Sequence, residues 1–304
     1  TSFAIGAIVA GIVALHHIYF LEAPRAYDGK FELTKGYMAI QSGNMAMSLA
    51  VFSVIGWFYS LEKGKIKTSV AFILAAALGL TGSLLSGSRG GWVFAPIVIA
   101  FVIYQYRYLL SKKVCTCGFI ALFITLYFGY PLAEARATRA VTQISNYITN
   151  DANSTSVGAR FEMWKSAWYS FTESPVLGPG YIEREALKQR QVEEQKVDPI
   201  VLKYGRAHNQ YFEELSTKGL VGFSVLMSIF AFPLQVFWRR RHSQNIQQKC
   251  IAQCGIAHVT LVASYGLTQN YLNHNSGIIF YSVLTVILMS ACLSSESKHN
   301  KVAC

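Results

Sequence analysis

Eight stretches of this chain are apolar for about the length that crosses a bilayer, and that repetition limits the fold more than any single motif. They lie near residues 2–20, 37–61, 68–86, 90–106, 114–133, 217–238, 250–270 and 275–294. A membrane-spanning helix needs about 20 consecutive apolar residues. A soluble fold would have to bury all of these runs, and 304 residues do not supply enough interior. Only 14% of residues are charged, against about a quarter in soluble domains. The expected fold class is an all-α polytopic membrane protein, with about eight transmembrane helices and one long, partly helical loop.

Short loops rich in Lys and Arg remain on the cytoplasmic side of such proteins. Lys63, Lys65 and Lys67 form one basic group, and Arg107, Lys112 and Lys113 a second. Arg239, Arg240, Arg241 and Lys249 form a third, with Lys298 and Lys301 in the tail. All fall on one side if the spans alternate, so that side is expected to be cytoplasmic. Much of the net charge of +11 is explained in this way, and no nucleic-acid partner is expected. Cys115, Cys117, Cys250, Cys254, Cys292 and Cys304 lie at or near the same ends. They read as small apolar residues at helix ends rather than as metal ligands. The chain opens at Thr1 on an apolar run without a basic flank, and earlier spans are expected to precede it.

The pattern divides the chain into N-terminal helices over 1–133, a polar segment over 134–216, and C-terminal helices with a cytoplasmic tail over 217–304. Alternation places 134–216 outside, which is the periplasm in a Gram-negative cell. Loops longer than about 12–15 residues are usually functional or disordered. Here "RFEMWKSAWYSF" spaces Phe161, Trp164, Trp168 and Phe171 by three or four residues, an amphipathic helix with an aromatic face. That face suits either the membrane interface or packing within the loop's own domain. "ESPVLGPGY" then breaks the helix at Pro175, Gly178, Pro179 and Gly180. "EREALKQRQVEEQK" resumes as a helix, read here as a solvated charged face without chemistry.

Charges inside a membrane are costly and mark function, yet the spans carry almost none. The exception is Arg89, in the Gly-rich turn "SGSRGG" between two apolar runs, where it is expected to face a buried anion. Arg160, at the start of the aromatic helix, is a second cation near the headgroups. His208 lies at the edge of the following span, and imidazole accepts a proton from a hydroxyl near neutral pH. Its neighbour Asn209 can orient a sugar hydroxyl. Glu213 and Glu214 are close enough in sequence to assist as bases. His258, deep in a span, reads as a hydrogen-bonded packing residue. The sequence holds no DxD, HExxH or phosphate-loop motif, so arginines are expected to neutralise any diphosphate.

"SGSRGGW" (86–92), Arg160 with Trp164, "ESPVLGPGY" (173–181) and "HNQYFEELSTKGLVG" (208–222) occur in that order. In this arrangement, over roughly 40–225, the chain resembles the bacterial O-antigen ligase family, which also contains O-antigen polymerases and protein O-oligosaccharyltransferases. The resemblance implies a multi-pass inner-membrane glycosyltransferase without a cofactor, acting at the periplasmic face. Its donor would be an undecaprenyl-diphosphate-linked glycan, its acceptor the lipid A core, and its surroundings membrane lipids. The family's motif arginines match Arg89 in "SRG" and Arg160 in "GARFEMW", and its histidine matches His208 in "HN". Arg89 and Arg160 would hold the departing diphosphate while His208 activates the acceptor, in one inverting displacement. Asn209, Arg206, Trp164 and Trp168 are the expected substrate contacts. The same groups serve a polymerase or a protein glycosyltransferase, but one dominant exterior loop favours a ligase. Members of the family usually have more spans than are counted here, in keeping with earlier ones. A transporter would instead place polar residues or broken helices near mid-membrane.

Overall fold

The computed structural model describes residues 1–30, 38–88, 90–150 and 155–302, except for the side chains at 121, 124–133, 135, 136, 140, 150 and 295–302. Arg89 lies outside the described residues. Ten α-helices run through the rest: α1 (Ser2–Tyr19), α2 (Ala39–Glu62), α3 (Ile66–Ser86), α4 (Gly90–Gln105), α5 (Lys112–Asn150), α6 (Gly158–Glu173), α7 (Gly180–Glu193), α8 (Gln210–Arg240), α9 (Ile246–Gly266) and α10 (Asn275–Val302). Among the described residues there is no strand. Five helices, α1, α2, α3, α8 and the 275–294 part of α10, are long and apolar enough to cross a membrane, and α4 is a shorter apolar helix. The protein is an all-α, multi-pass membrane protein.

The chain forms two compact units. The first comprises 1–129, 231–265 and 274–304, the second 130–230 and 266–273. In the first unit α1, α2 and α3 pack together, with α2 at the centre. Of the most apolar window of α2, 78% is buried in the protein, against 22–33% for the other four long helices. Close approach depends on small residues, as is usual between membrane helices. A Cβ on Gly11 would stand 2.6 Å from the Leu78 carbonyl oxygen.

Three of the basic segments converge at one end of this unit. Lys249 Nζ at the start of α9 meets Glu62 Oε1 at the end of α2 at 2.5 Å, and donates to the Tyr108 hydroxyl at 2.8 Å. Tyr108 also donates to Glu62, at 2.5 Å. Toward the other end of α2, a row of polar residues without charge is buried: Gln41, Asn44 and Ser48. Ser88, beside position 89, donates to Asn44 Oδ1 at 2.5 Å and to the Ile40 carbonyl at 3.2 Å. Tyr265 donates to the Asn44 carbonyl at 2.9 Å. The turn before position 89 is thus pinned to α2, and a search for charged residues alone passes over this row.

In the second unit α6, α7 and the 3₁₀ turn Pro199–Lys203 pack together around Met163, Val197 and Val201, with Trp164, Tyr169 and Tyr204 at the margin. The buried face of α6 carries Gly158, Ala159, Glu162, Met163, Ser166, Ala167 and Ser170, not the aromatic residues. Small side chains let α7 approach. Gln191 of α7 accepts from Ser166 at 2.6 Å and donates to Ser170 at 3.2 Å.

A candidate active site around His208

The aromatic stripe of α6 divides. Trp164 is partly buried, donates Nε1–H to the Ala207 carbonyl at 3.0 Å, and stacks on Phe212 with ring centres 5.6 Å apart. Trp168, one turn on, is half exposed and pairs with Phe171 at 5.4 Å. Arg160 is partly buried in the first turn of α6, four residues before Trp164. Residues at that spacing share a helix face, so Arg160 lies on the face that reaches the residue preceding His208.

His208 has a left-handed backbone, with φ of +49°. Among non-glycine residues that conformation is uncommon, although His, Asn and Asp tolerate it best. The surroundings hold it on both sides. Ahead of it, the Ala207 N–H donates to Glu213 Oε2 at 2.7 Å, and Glu213 Oε1 pairs with Arg184 of α7 at 2.9 Å. Behind it, Asn209 caps α8, accepting from the backbone N–H groups of Tyr211 at 3.0 Å and Phe212 at 3.2 Å. An Asn cap of this kind satisfies amides that the first helical turn leaves unpaired.

The same strap grips the turn that follows α9. His208 Nδ1 lies 2.8 Å from Gln269 Oε1, and Asn209 Nδ2 donates to the Leu267 carbonyl at 3.1 Å. The Leu272 N–H donates to Gln210 Oε1 at 2.9 Å, and Gln210 Nε2 to Asn273 Oδ1 at 2.6 Å. Arg206, exposed at the rim, donates to the Asn273 carbonyl at 3.2 Å. Tyr204 meets the imidazole edge-on at 5.7 Å. The membrane span expected over 250–270 is instead α9, which ends at Gly266 and is not among the helices long and apolar enough to cross a membrane; the residues that follow it form a wall of the site.

Both carboxylates near His208 are committed. Glu213 is fully buried on Arg184 and the backbone, and Glu214 pairs with Lys218 at 2.7 Å and accepts from Gln210 at 3.0 Å. Asn209 is equally occupied by the cap and the turn. The helix expected to be a solvated charged face is not one. Arg184, Leu187, Lys188 and Gln191 of α7 are buried, and their spacing of three or four residues is the signal that marks one inward face. Lys188 donates to the Tyr204 carbonyl at 2.8 Å and pairs with Glu185 at 2.7 Å. Burial lowers its pKa below the ordinary lysine value, while Glu185 opposes the shift.

His208, Asn209, Arg206 and Trp164 thus share one neighbourhood in the second unit. Their arrangement suits proton transfer from a hydroxyl beside a cationic rim. His258, in contrast, is buried in α9 with Nε2 3.1 Å from the Tyr281 carbonyl, a packing role.

An O-antigen ligase family model matches residues 74–227, a span that includes Arg89, Arg160 and His208. A protein of Haemophilus influenzae, described as uncharacterized, is 34% identical over 282 residues, covering 90% of this chain and 68% of the relative. With that match spanning residues 86–91, α6, α7 and the His208 strap, the chain belongs to the O-antigen ligase family.

Proposed function

We propose that this protein transfers an O-antigen glycan from undecaprenyl diphosphate to a hydroxyl of the lipid A core, at the periplasmic face of the bacterial inner membrane. Residues 134–216 form the periplasmic domain between the helical segments 1–133 and 217–304. The observation that carries this reading is the construction around His208: a partly buried imidazole held at a left-handed φ of +49° beside the aromatic helix α6, whose first turn carries Arg160. Strained backbone of that kind persists where its surroundings over-determine it and clusters at active sites.

In the proposed reaction Arg89 and Arg160 bind the diphosphate and stabilise the charge that develops as it leaves. Arg206 adds positive charge at the rim, and the half-exposed Trp168 offers a face to a sugar or headgroup. His208 takes the proton of the acceptor hydroxyl as its oxygen attacks the anomeric carbon. One displacement inverts that centre. These steps use side chains alone as acid, base and counter-charge.

The test is complementation of a strain lacking its own ligase with the full-length protein, His208→Ala and His208→Asn. Asn tolerates the left-handed conformation, so it removes the base with little backbone cost. Wild type is expected to restore smooth lipopolysaccharide. Both variants, at equal abundance, are expected to leave polymer on the lipid carrier. If His208→Asn restores smooth lipopolysaccharide, His208 is not the base. If polymer itself depends on the wild-type protein, the activity is polymerisation rather than ligation.

A further inference from the structure

Resting on the assignment of His208 as the proton acceptor, the geometry points to Gln269 as a positioning residue that fixes which imidazole nitrogen faces the substrate. A neutral imidazole carries hydrogen on one nitrogen and a lone pair on the other, and the partner of one decides the role of the other. Gln269 turns Oε1 to His208 Nδ1 at 2.8 Å. A carbonyl oxygen only accepts, so Nδ1 carries the hydrogen and Nε2 keeps the lone pair. Nε2 is then the base.

The proton balance follows directly. The acceptor hydroxyl gives its proton to Nε2 as its oxygen forms the new bond at the anomeric carbon. The bond from that carbon to the diphosphate oxygen breaks, and the diphosphate leaves with the electron pair. The resulting imidazolium still donates Nδ1–H to Gln269, so one contact serves the ring before and after transfer without rotation.

Three features set Gln269 apart from an incidental neighbour. Its turn is held on both sides by the strap that carries His208, through Leu267 on one side and Leu272 and Asn273 on the other. That turn belongs to the same compact unit as His208, although the helix leading to it does not. The acceptor is also an amide, which orients the ring without placing a negative charge beside a site meant for a diphosphate.

The experiment reads the tautomer of His208 by ¹⁵N NMR of the histidine-labelled full chain in detergent or nanodiscs, at alkaline pH where imidazole is neutral. The His208 signals are identified by their loss in His208→Asn. Wild type is expected in the Nδ1–H form. Gln269→Leu should shift His208 toward the Nε2–H form that free histidine favours. It should also lower glycan transfer roughly 10–100-fold at equal abundance, as when a group that orients a functional imidazole is removed. Gln269→Glu keeps an oxygen acceptor and is expected to keep the Nδ1–H form, which serves as the check if the Leu variant does not fold. An Nε2–H signal in the wild type overturns the inference, as does unchanged transfer in Gln269→Leu. Unchanged transfer in His208→Asn overturns the assignment beneath it instead.

Discussion

Glu213 governs the local order of the site through two oxygens with two different tasks. One neutralises Arg184, and the other receives the N–H of the residue before His208. Both charges are almost fully buried, at 2% and 0% exposure, so neither tolerates loss of the other. Removing one partner of a buried pair costs about 3–5 kcal/mol, whereas replacing both is often neutral. Arg184→Met and Glu213→Gln are each expected to lower the thermal midpoint in detergent. The double variant should unfold above either, because Gln still accepts from Ala207 N–H while no charge is stranded. A double variant that melts below both singles would show that a stranded buried charge is not what destabilises them. In sequence Glu213 reads as a helper base beside the histidine, and only its burial reveals the structural commitment. Arg184 and Lys188 were hidden for the same reason: a charged residue in a polar helix signals solvent unless its partner is known.

At the scale of elements, the break in α8 explains why "ESPVLGPGY" and "STKGLVG" occur as a pair of motifs in one chain. Gly219 has φ of +60° and ψ of −156°, a conformation almost confined to glycine. The break frees two amides, which the other motif satisfies. The Leu220 N–H donates to the Pro175 carbonyl at 2.8 Å, and the Val221 N–H to the Val176 carbonyl at 3.1 Å. A Cβ on Gly219 would stand 2.5 Å from the Val176 oxygen, while one on Gly180 or Gly205 would meet nothing within 4 Å. Gly180 has a positive φ of +81°. The expected order of destabilisation by Ala in thermal unfolding is therefore Gly205, then Gly180, then Gly219. The first is expected within about 0.5 kcal/mol of wild type, as for surface positions. The second should lose about 1–3 kcal/mol from backbone strain, and the third more. Equal effects at all three would remove the basis for reading the two motifs as one joint. The helices were legible because apolar runs are local. The joint was not, because it is made by backbone groups far apart in sequence, and the glycines alone do not say what they approach.

For the whole molecule, the basic segments make the proposed orientation testable. Alternating spans placed them together from sequence, and the cluster of Glu62, Tyr108 and Lys249 joins three of those segments at one end of the first unit. The positive-inside rule assigns that end to the cytoplasm, and the proposed reaction requires His208 on the periplasmic side, where a carrier-linked glycan would be accessible after export. Single cysteines introduced by Lys65→Cys and Lys203→Cys, in a background with the native cysteines changed to serine, report the two faces. Both positions are exposed. With the outer membrane permeabilised, a membrane-impermeant maleimide is expected to label Lys203→Cys in intact cells, and Lys65→Cys only after the inner membrane is opened. The reverse pattern would put His208 in the cytoplasm and sink the proposed ligation, whatever the chemistry of the site. Labelling of both from outside would mean that the alternation fails between α2 and the second unit, so that the number of crossings differs in parity from the sequence pattern. The expected pattern would place His208 on the periplasmic side, and loss of transfer in His208→Asn would show separately that it acts in the reaction.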